Sequence, residues 1–453
     1  MVQSNKYIMK RNIMLLFMIT GMLITACEKD NGGSASGADP VIASISPEKG
    51  YPLSTLAVKG ENFSRVRTEN RVEINGVEAR IIHFNEHTIH VEVPEGGSTG
   101  SVSVIVNGRS TTGPVFEYMV PPAIYRAETY AGTGQEGYAE GPRQSALLNR
   151  PGGVVFDSKG NLIFSDRNNN RIRKISPDGQ VSLVAGTGTQ GRQDGPAHQA
   201  TFAWPYGIAI DKDDNIYVAD RNNHLVRKID AATGMVSTIA GSTQGYAEGN
   251  RTEARFNQPL DVAVADDGTV YVADYNNSRI RKIAPDGMVS TYVGDGTQAH
   301  QDGPRETARV NRAPGIDIDH EGNLIIADRF NYCVRKVTPD GMVTTIAGSR
   351  SRQYGYADGP EADALFFGIW GVHAAADGHI YIAEINDNHA IRVLTPEGEV
   401  RTLGGGGQSG FVNGEPSTVS RYNTPVGITL DAEGNIYVAD LENHAIRRLV
   451  RTN

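Results

Sequence analysis

Hydrophobic and polar positions alternate in short runs from about residue 40 onward. Residues 71–76, 88–94 and 101–108 are clear examples, and each run ends in a turn residue such as glycine or proline. A period of two is typical of half-buried strands. The region 40–120 holds about 80 residues of such strands without a helical period, which predicts an immunoglobulin-like sandwich.

After residue 126 the alternation becomes a repeat. An acidic residue ends one short apolar run in each unit, and the steps between these acids are 54, 54, 54, 56 and 56 residues. A β-rich repeat of this length predicts propeller blades rather than a helical solenoid. Each unit parses into four strands, named a to d from the innermost outward. The six acids are Asp166, Asp220, Asp274, Asp328, Glu384 and Asp440.

The ends of the repeat predict a closed ring. The sixth unit stops after strand c, at residues 445–450, and residues 128–132 match the fourth strand of the second unit, 237–241. The first strand is therefore expected to complete the last blade, which removes exposed sheet edges. The sequence predicts an all-β protein, with the immunoglobulin-like domain at 40–120 and a six-bladed β-propeller at 127–453.

Residues that recur at one position in every blade are assigned to the scaffold. Each acid lies across the b–c hairpin from a strand-c arginine, and the two are expected to form a charge-assisted pair. A histidine recurs at one loop position, in His224, His389 and His444. An aromatic residue recurs in a glycine-rich loop and is expected to form the core of that loop, in Tyr138, Tyr246, Tyr356 and Phe411. The arginines are Arg173, Arg227, Arg281, Arg335, Arg392 and Arg447.

Two stretches of the chain resemble known families. Residues 45–50, residues 58–63 and the Asn75-Gly76 turn resemble an IPT/TIG domain, which implies a spacer or interaction module. The six repeats resemble NHL repeats, and Asn223-His224-Leu225 spells the family name. The second resemblance implies the propeller fold but says little about function, because the family includes binding platforms and enzymes alike.

The amino terminus has the pattern of an export signal. Lys10 and Arg11 precede an apolar run at 13–24, which is shorter than the roughly 20 residues of a membrane-spanning helix. Residues 23–27 resemble a bacterial lipobox, in which Cys27 would carry lipid, and the acids after it resemble the surface-export signal of Bacteroidetes lipoproteins. We expect a signal peptide at 1–26, a flexible tether at 27–39 and a lipid-anchored protein of the outer membrane, on the cell surface. A short membrane anchor with an incidental cysteine is the alternative.

Charge and cysteine content narrow the classes of function. The chain has 43 Lys and Arg against 52 Asp and Glu, a net charge of −9, which argues against nucleic acid as a partner. Two cysteines allow at most one disulfide. If Cys27 carries lipid, Cys333 is left alone and is expected to be inert packing.

Departures from the repeat mark candidate functional residues along the channel. The blades align on an inner-strand position occupied by Gly153, Gly207, Asp261, Gly315, Gly371 and Gly427. Asp261, together with Asp317, His373 and Thr429 two residues beyond this position, predicts a polar cluster on one side of the channel. The cluster would suit a channel cation or an acid–base pair, but a wet channel that tolerates polar residues explains it as well. We expect no dedicated cofactor or metal site, since no phosphate-loop or zinc spacing is present.

The residues that enter strand a predict a ligand site at the channel mouth. Both tryptophans of the chain fall here, in blades two and five, on opposite sides of the ring. Aromatic faces beside polar donors suit a sugar. Packing of the tryptophans between blades is the alternative. The predicted site consists of Trp204, Tyr206, Trp370, Arg150, Gln258 and Arg312.

Three classes of function remain open. The sequence favours a non-catalytic surface platform for glycan capture, or for another extracellular ligand, over an enzyme. A metal-dependent propeller enzyme is the first alternative, because six-bladed relatives include lactonases and lyases, but no complete catalytic set is visible. A protein–protein interaction platform, with outer-membrane proteins as partners, is the second.

Overall fold

A computed structural model describes residues 38–119, 123–415 and 417–452. The chain divides into two compact units, residues 1–122 and 123–453, which are described separately. The signal peptide, Cys27 and the tether up to residue 37 lie outside the described residues, so these assignments stay predictions. Within the described ranges, no helix combines the length and apolarity needed to cross a membrane.

The first unit consists of eight strands around one core. Their hydrogen-bonded order is β1-β3-β6-β5-β4-β7-β8-β2. A short 3-10 helix, Arg67–Glu69, precedes β4. The strands β1 to β8 are Val41–Ser46, Lys49–Gly50, Thr55–Glu61, Asn70–Ile74, Val77–Phe84, Thr88–Glu92, Gly100–Val106 and Arg109–Tyr118.

Strand β5 joins the two halves of this unit. Its first residues pair with β4, whereas Arg80 and the residues after it pair with β6, and a bulge lies between Ile81 and His83. A bulge bends a strand and increases its twist, which lets one strand serve two sheets. Alternate residues such as Leu56 and Val104 are fully buried between the sheets. The immunoglobulin-like fold expected for 40–120 is confirmed.

The second unit is a propeller of six blades, each with four main antiparallel strands. In blades 1 to 3, strands a to d are Pro151–Phe156, Leu162–Asp166, Arg171–Ile175 and Gln180–Ala185; Pro205–Ile210, Ile216–Asp220, Leu225–Ile229 and Met235–Gly241; Pro259–Val264, Val270–Asp274, Arg279–Ile283 and Val289–Val293. In blades 4 and 5 they are Gly315–Ile318, Leu324–Asp328, Cys333–Val337 and Met342–Ala347; Ile369–Ala374, Ile380–Glu384, Ala390–Leu394 and Glu399–Gly405. Two-residue strands extend the outer edge of four blades, at Gly141–Pro142, Gly195–Pro196, Gly303–Pro304 and Gly359–Pro360.

The last blade closes the ring. It consists of Pro425–Leu430, Ile436–Asp440 and Ala445–Arg451, and its fourth strand is Tyr125–Ala131 from the start of the propeller. This strand pairs antiparallel with Ala445–Arg451, with Ala131 opposite Ile446. Arg448 also forms an ion pair with Glu128 across this junction. The predicted closure is therefore present, and the six-bladed propeller is confirmed.

Hydrophobic cores lie between neighbouring blades. One cluster, for example, combines Val226 and Ala240 of blade 2 with two residues of blade 3. These are Phe256, just before the inner strand, and Val262 on that strand. Short 3-10 turns connect strand b to strand c in five blades, at Arg167–Asn169, Arg221–Asn223, Tyr275–Asn277, Arg329–Asn331 and Leu441–Asn443. A further 3-10 turn at Ser417–Val419 precedes blade 6.

The predicted acid–arginine pairs are all present, and every one is fully buried. In blade 3, Nη1 of Arg281 lies 3.0 Å from Oδ2 of Asp274, and the guanidinium also donates to the carbonyl oxygens of Arg255 and Ala247 at 3.1 and 2.8 Å. The other oxygen of Asp274 accepts the N–H of Asn257 at 2.8 Å. Each pair therefore fastens the b–c hairpin to the loop that enters strand a.

The recurring loop aromatics do not form cores. Tyr138 lies over Arg173 with 4.7 Å between the guanidinium carbon and the ring centroid, and Tyr246 lies over Arg281 at 4.8 Å. Both rings stay exposed on their other face. The expectation of buried loop cores is wrong, because the rings cover the arginines from the solvent side.

We expect Asp274→Ala to lower the free energy of unfolding of the propeller by about 3–5 kcal/mol, because it leaves Arg281 as an uncompensated buried charge. Asp266→Ala removes an exposed carboxylate from the same blade and serves as the control. Chemical denaturation of both variants measures the difference. Equal stability of the two would show that the buried pair does not hold the blade.

Candidate functional site

The inner strands of the six blades approach each other closely at the aligned position. A Cβ atom added to Gly207 would lie 2.0 Å from Oδ1 of Asp261, and one added to Gly371 would lie 1.9 Å from the carbonyl oxygen of Val426. No side chain fits in such a space, which explains why five blades carry glycine there. The glycines are Gly153, Gly207, Gly315, Gly371 and Gly427.

Two aspartates connect neighbouring inner strands. Asp261 accepts the N–H of the residue that follows it and the N–H of Ile316 in the next blade, both at 3.0 Å. Asp317 makes the same pair of bonds, to the following residue at 2.8 Å and to Ala374 at 2.9 Å. Burial raises the pKa of Asp261 to about 8, the nearby Asp317 adds to the rise, and the two N–H donors oppose it. Both carboxyl groups thus join adjacent blades.

The predicted polar cluster is assembled in the channel. Nδ1 of His373 lies 3.1 Å from Oδ2 of Asp317, and Thr429 lines the same cavity. This cavity has a volume of about 160 Å³. Ordinary ligand pockets have roughly 300–1,000 Å³, so the channel interior suits water or a small ion better than a sugar. Among the residues that the structure describes, no three His, Cys, Asp or Glu side chains form a group that could hold a metal ion.

An aromatic floor, which we define as Tyr206, Tyr275 and Trp370, lies at the mouth of the channel. Trp370 and Tyr206 belong to opposite blades, yet their ring centroids are only 5.8 Å apart. Tyr275 lies 6.3 Å from Trp370. The Trp370 ring therefore extends across the opening instead of standing at its edge, and it packs on the buried cluster that includes Leu260. Trp204 does not take part in this floor and lies beside arginine side chains.

The rim of the mouth is formed by the residue three positions before the aligned glycine. It has a left-handed backbone in every blade, with φ of 54° at Trp204, for example. This conformation costs roughly 1–2 kcal/mol for a residue other than glycine. Five of the six blades nevertheless carry a side chain there. The rim residues are Arg150, Trp204, Gln258, Arg312, Gly368 and Thr424.

Side chains of the preceding blade hold four rim residues in place. In each case a side-chain acceptor receives the backbone N–H of the rim residue, at 3.1 to 3.3 Å. The acceptor is Nδ1 of a histidine in three blades and an asparagine oxygen in the fourth. The pairs are His224 with Gln258, His389 with Thr424, His444 with Arg150 and Asn170 with Trp204. The recurring histidines therefore belong to the scaffold, as the sequence predicts.

Two of the three predicted polar residues of the rim, Arg150 and Gln258, already have polar partners. Arg150 forms an ion pair with Glu442 at 2.7 Å, and the side-chain oxygen of Gln258 accepts a hydrogen bond from Arg221 at 3.1 Å. Arg312 lies over the ring of Phe330 at 6.0 Å. Of the six predicted site residues, Tyr206 and Trp370 form part of the floor, and the other four form part of the rim.

Three arginines of the mouth were not among the predicted site residues. Each directly follows a blade acid, at Arg167, Arg221 and Arg329. The guanidinium carbons of Arg167 and Arg221 lie 4.9 Å and 5.7 Å from the centroid of the Trp204 ring, and that of Arg329 lies 4.8 Å from the centroid of the Trp370 ring. The position varies among blades, with Tyr275, Ile385 and Leu441 in the others. That variation is the signal in the sequence that could have identified them.

Family models match both units. Residues 40–118 match the IPT/TIG domain, and residues 202–229, 256–283 and 422–449 match the NHL repeat. The chain combines an IPT/TIG domain with an NHL propeller. NHL repeat-containing protein 2 from Bos taurus is 29% identical over 337 residues, which cover 66% of this chain and 46% of that protein. The chain thus spans about half the length of the curated relatives it matches.

Solved structures share the fold over most of the chain. A protein of unknown function from Bacteroides thetaiotaomicron is 21% identical, with a TM-score of 0.56, and the match covers 91% of this chain and 98% of that one. An auxiliary nutrient binding protein from Bacteroides ovatus is 18% identical, with a TM-score of 0.55, over 92% of this chain and 99% of that one. At these identities the likeness describes the fold alone.

The histidines that hold the rim of the NHL propeller predict a pH-dependent stability. Burial lowers the pKa of His224, His389 and His444. A histidine whose folded pKa lies below its unfolded value stabilises the fold fully above the unfolded pKa of about 6.5, and that contribution is lost as the pH falls through the folded pKa. Protonation of Nδ1 also removes the acceptor that the rim N–H needs.

Replacement of all three by asparagine, the residue that blade 1 uses at this position, should flatten the pH dependence of the melting temperature between about pH 7 and 5. Substitution of the exposed His87, His198 and His320 by asparagine is the matched control and should leave the dependence intact. If the melting temperature of the rim triple variant depended on pH as strongly as that of the wild type, the imidazoles would not be the acceptors of the rim N–H groups.

Proposed function

We propose that this protein is a surface lipoprotein whose NHL propeller binds a glycan, without catalysis, at the channel mouth. The aromatic floor is the observation that carries the proposal. Trp370 is partly exposed and packs against the buried rings of Tyr206 and Tyr275, and Trp204 is partly exposed on the rim. Sugars pack an apolar C–H face on such rings while their hydroxyl groups take hydrogen bonds from the surrounding donors.

The geometry of the channel supports binding over catalysis. Each oxygen of Asp261 and Asp317 accepts a backbone N–H, so both acids are committed to joining strands. A general acid or base must reach a proton of the substrate, whereas Asp261 and Asp317 lie deeper along the inner strands than Tyr206 and Trp370. The nutrient-binding description of the structural neighbour from Bacteroides ovatus agrees with this assignment.

Trp204→Ala should weaken glycan binding by about 2 kcal/mol, as expected for an aromatic anchor, while the propeller stays folded. Calorimetric titration with glycans that bind the soluble fragment from residue 40 measures the effect. Tyr51→Ala removes an exposed aromatic ring of the immunoglobulin-like unit and is the control. Unchanged affinity of the Trp204 variant, or equal loss in the control, would contradict a site at the mouth.

Trp370→Ala is a different experiment, because this ring is also part of a buried cluster. We expect it to lower both the glycan affinity and the melting temperature. Loss of thermal stability with full affinity would mean that Trp370 only packs between blades, and the floor would then have no role in binding.

Membrane attachment is the second part of the proposal and depends on Cys27. Cys27→Ser should move the protein from the membrane fraction to the soluble fraction, because lipid on this residue is the proposed anchor. Cys333 is fully buried, and burial raises the pKa of its thiol, so Cys333→Ala is a matched control that should stay in the membrane fraction. Partitioning unchanged in the Cys27 variant would reject lipidation at this residue.

A further inference from the structure

Arg167 is a buried cation in the channel mouth. It is only 7% exposed, and its guanidinium carbon lies 4.9 Å from the Trp204 ring and 5.6 Å from the Tyr206 ring. Its Nε donates to Oδ1 of Asn168 at 3.2 Å. Burial lowers the pKa of Arg167, as expected for a charge withdrawn from water. Within the described part of the chain, this guanidinium forms no ion pair.

Two further arginines, Arg221 and Arg329, lie against the aromatic rings of the channel mouth. Arg329 donates to the hydroxyl of Tyr275 at 2.7 Å and lies over the Trp370 ring, and Arg221 lies beside Trp204. Burial raises the pKa of Tyr206, and the positive charges of Arg167, Arg221 and Arg329 all oppose that rise. All three charges thus act on the Tyr206 phenol, and Arg167 lies 5.6 Å from its ring centroid.

The scaffold arginines show how unusual this arrangement is within the same molecule. Each of the six strand-c arginines has a buried carboxylate within 3.0 Å. A buried charge without such a partner is costly, although contact with aromatic rings recovers part of the cost. Glu442 acts on Arg167 only at longer range and forms its ion pair with Arg150. Arg167, Arg221 and Arg329 thus concentrate positive charge on a protein whose net charge is −9.

We propose that Arg167, Arg221 and Arg329 bind an oxyanion on the glycan, either the carboxylate of an acidic sugar or a sulfate ester. This inference rests on the proposed glycan function and narrows it to anionic glycans. A guanidinium offers two parallel N–H donors that match the two oxygens of a carboxylate or sulfate. The partly exposed rings of Trp204 and Trp370 would pack on the sugar, and the anion would balance the positive charge of the arginines.

The position of the channel acids agrees with an anion bound at the mouth. Asp261 and Asp317 lie deeper along the inner strands than Tyr206 and Trp370. Negative charge at Asp317 would repel an anion that entered the channel, whereas the arginines attract it at the mouth. The ligand would therefore hold its anionic group at the mouth and leave the channel interior to water.

The test compares glycans that differ only in charge. Oligogalacturonate and its methyl ester have the same sugar rings, but only the first carries carboxylates, and dextran sulfate and dextran form the equivalent pair for sulfate. We expect the soluble fragment from residue 40 to bind one of the anionic probes at least about tenfold more tightly than its neutral partner, with affinity that falls as salt is added. The pair that shows the difference identifies the source of the anion.

Arg221→Gln combined with Arg329→Gln removes two of the charges while the buried Arg167 stays in place. Binding of the anionic probe should weaken by about tenfold or more, and binding of the neutral probe should change little. Arg251→Gln with Arg401→Gln removes the same net charge from exposed positions and should leave both affinities unchanged. Retained binding of the neutral probe shows that the double variant is folded.

Equal affinity for the charged and neutral members of both pairs would overturn the anion site but leave the proposed glycan function intact. Equal loss in the Arg251 and Arg401 control would overturn it as well, because a general charge effect would then explain the binding. Poly-L-glutamate that binds as tightly as the anionic glycans would overturn the assignment to a glycan. Failure of every glycan, neutral or charged, would overturn both proposals.

Discussion

The NHL propeller depends on one interaction repeated six times, the buried ion pair between a strand-b acid and a strand-c arginine. Neither partner can reach water, so both form their further hydrogen bonds with the protein backbone. The arginine takes them from carbonyl groups of the incoming loop, as Arg281 does with Arg255 and Ala247. The acid takes one from the backbone N–H directly before the rim, as Asp274 does with Asn257. The buried ion pair thus fixes the position of the backbone that carries the rim residues of the mouth.

This arrangement separates the parts of the propeller that must stay constant from those that can vary. The acceptors of the rim N–H groups and the inner-strand glycines satisfy backbone requirements that are the same in every blade. The rim side chains and the residue after each blade acid take no part in those bonds, and they differ from blade to blade, for example Arg167 in blade 1 and Leu441 in blade 6. A symmetric scaffold can therefore present an asymmetric mouth, with arginines on blades 1, 2 and 4 and apolar residues on blades 5 and 6.

Features that repeat along the chain could be predicted from the sequence, because each copy confirms the others. The blades, the ring closure and the pairing of Asp274 with Arg281 are of this kind. The direction of a single long side chain could not be predicted: nothing in the sequence shows that the Trp370 ring crosses the opening to reach Tyr206. The joining role of Asp261 was missed for a similar reason, since its partner Ile316 belongs to another blade. Arg167, Arg221 and Arg329 were missed because their neighbours in the sequence are scaffold residues.

The strand that closes the ring has a consequence for how the protein must fold. Glu128 and Arg448, which meet in the last blade, are 320 residues apart along the chain. Contacts of such long range form slowly, because the entropy of closing the loop is lost before the contact contributes any stabilisation. The first strand of the propeller must wait for the end of the chain, with its backbone N–H and C=O groups unpaired meanwhile. The ring, and with it the complete channel mouth, therefore forms only after the last blade of the chain has been made.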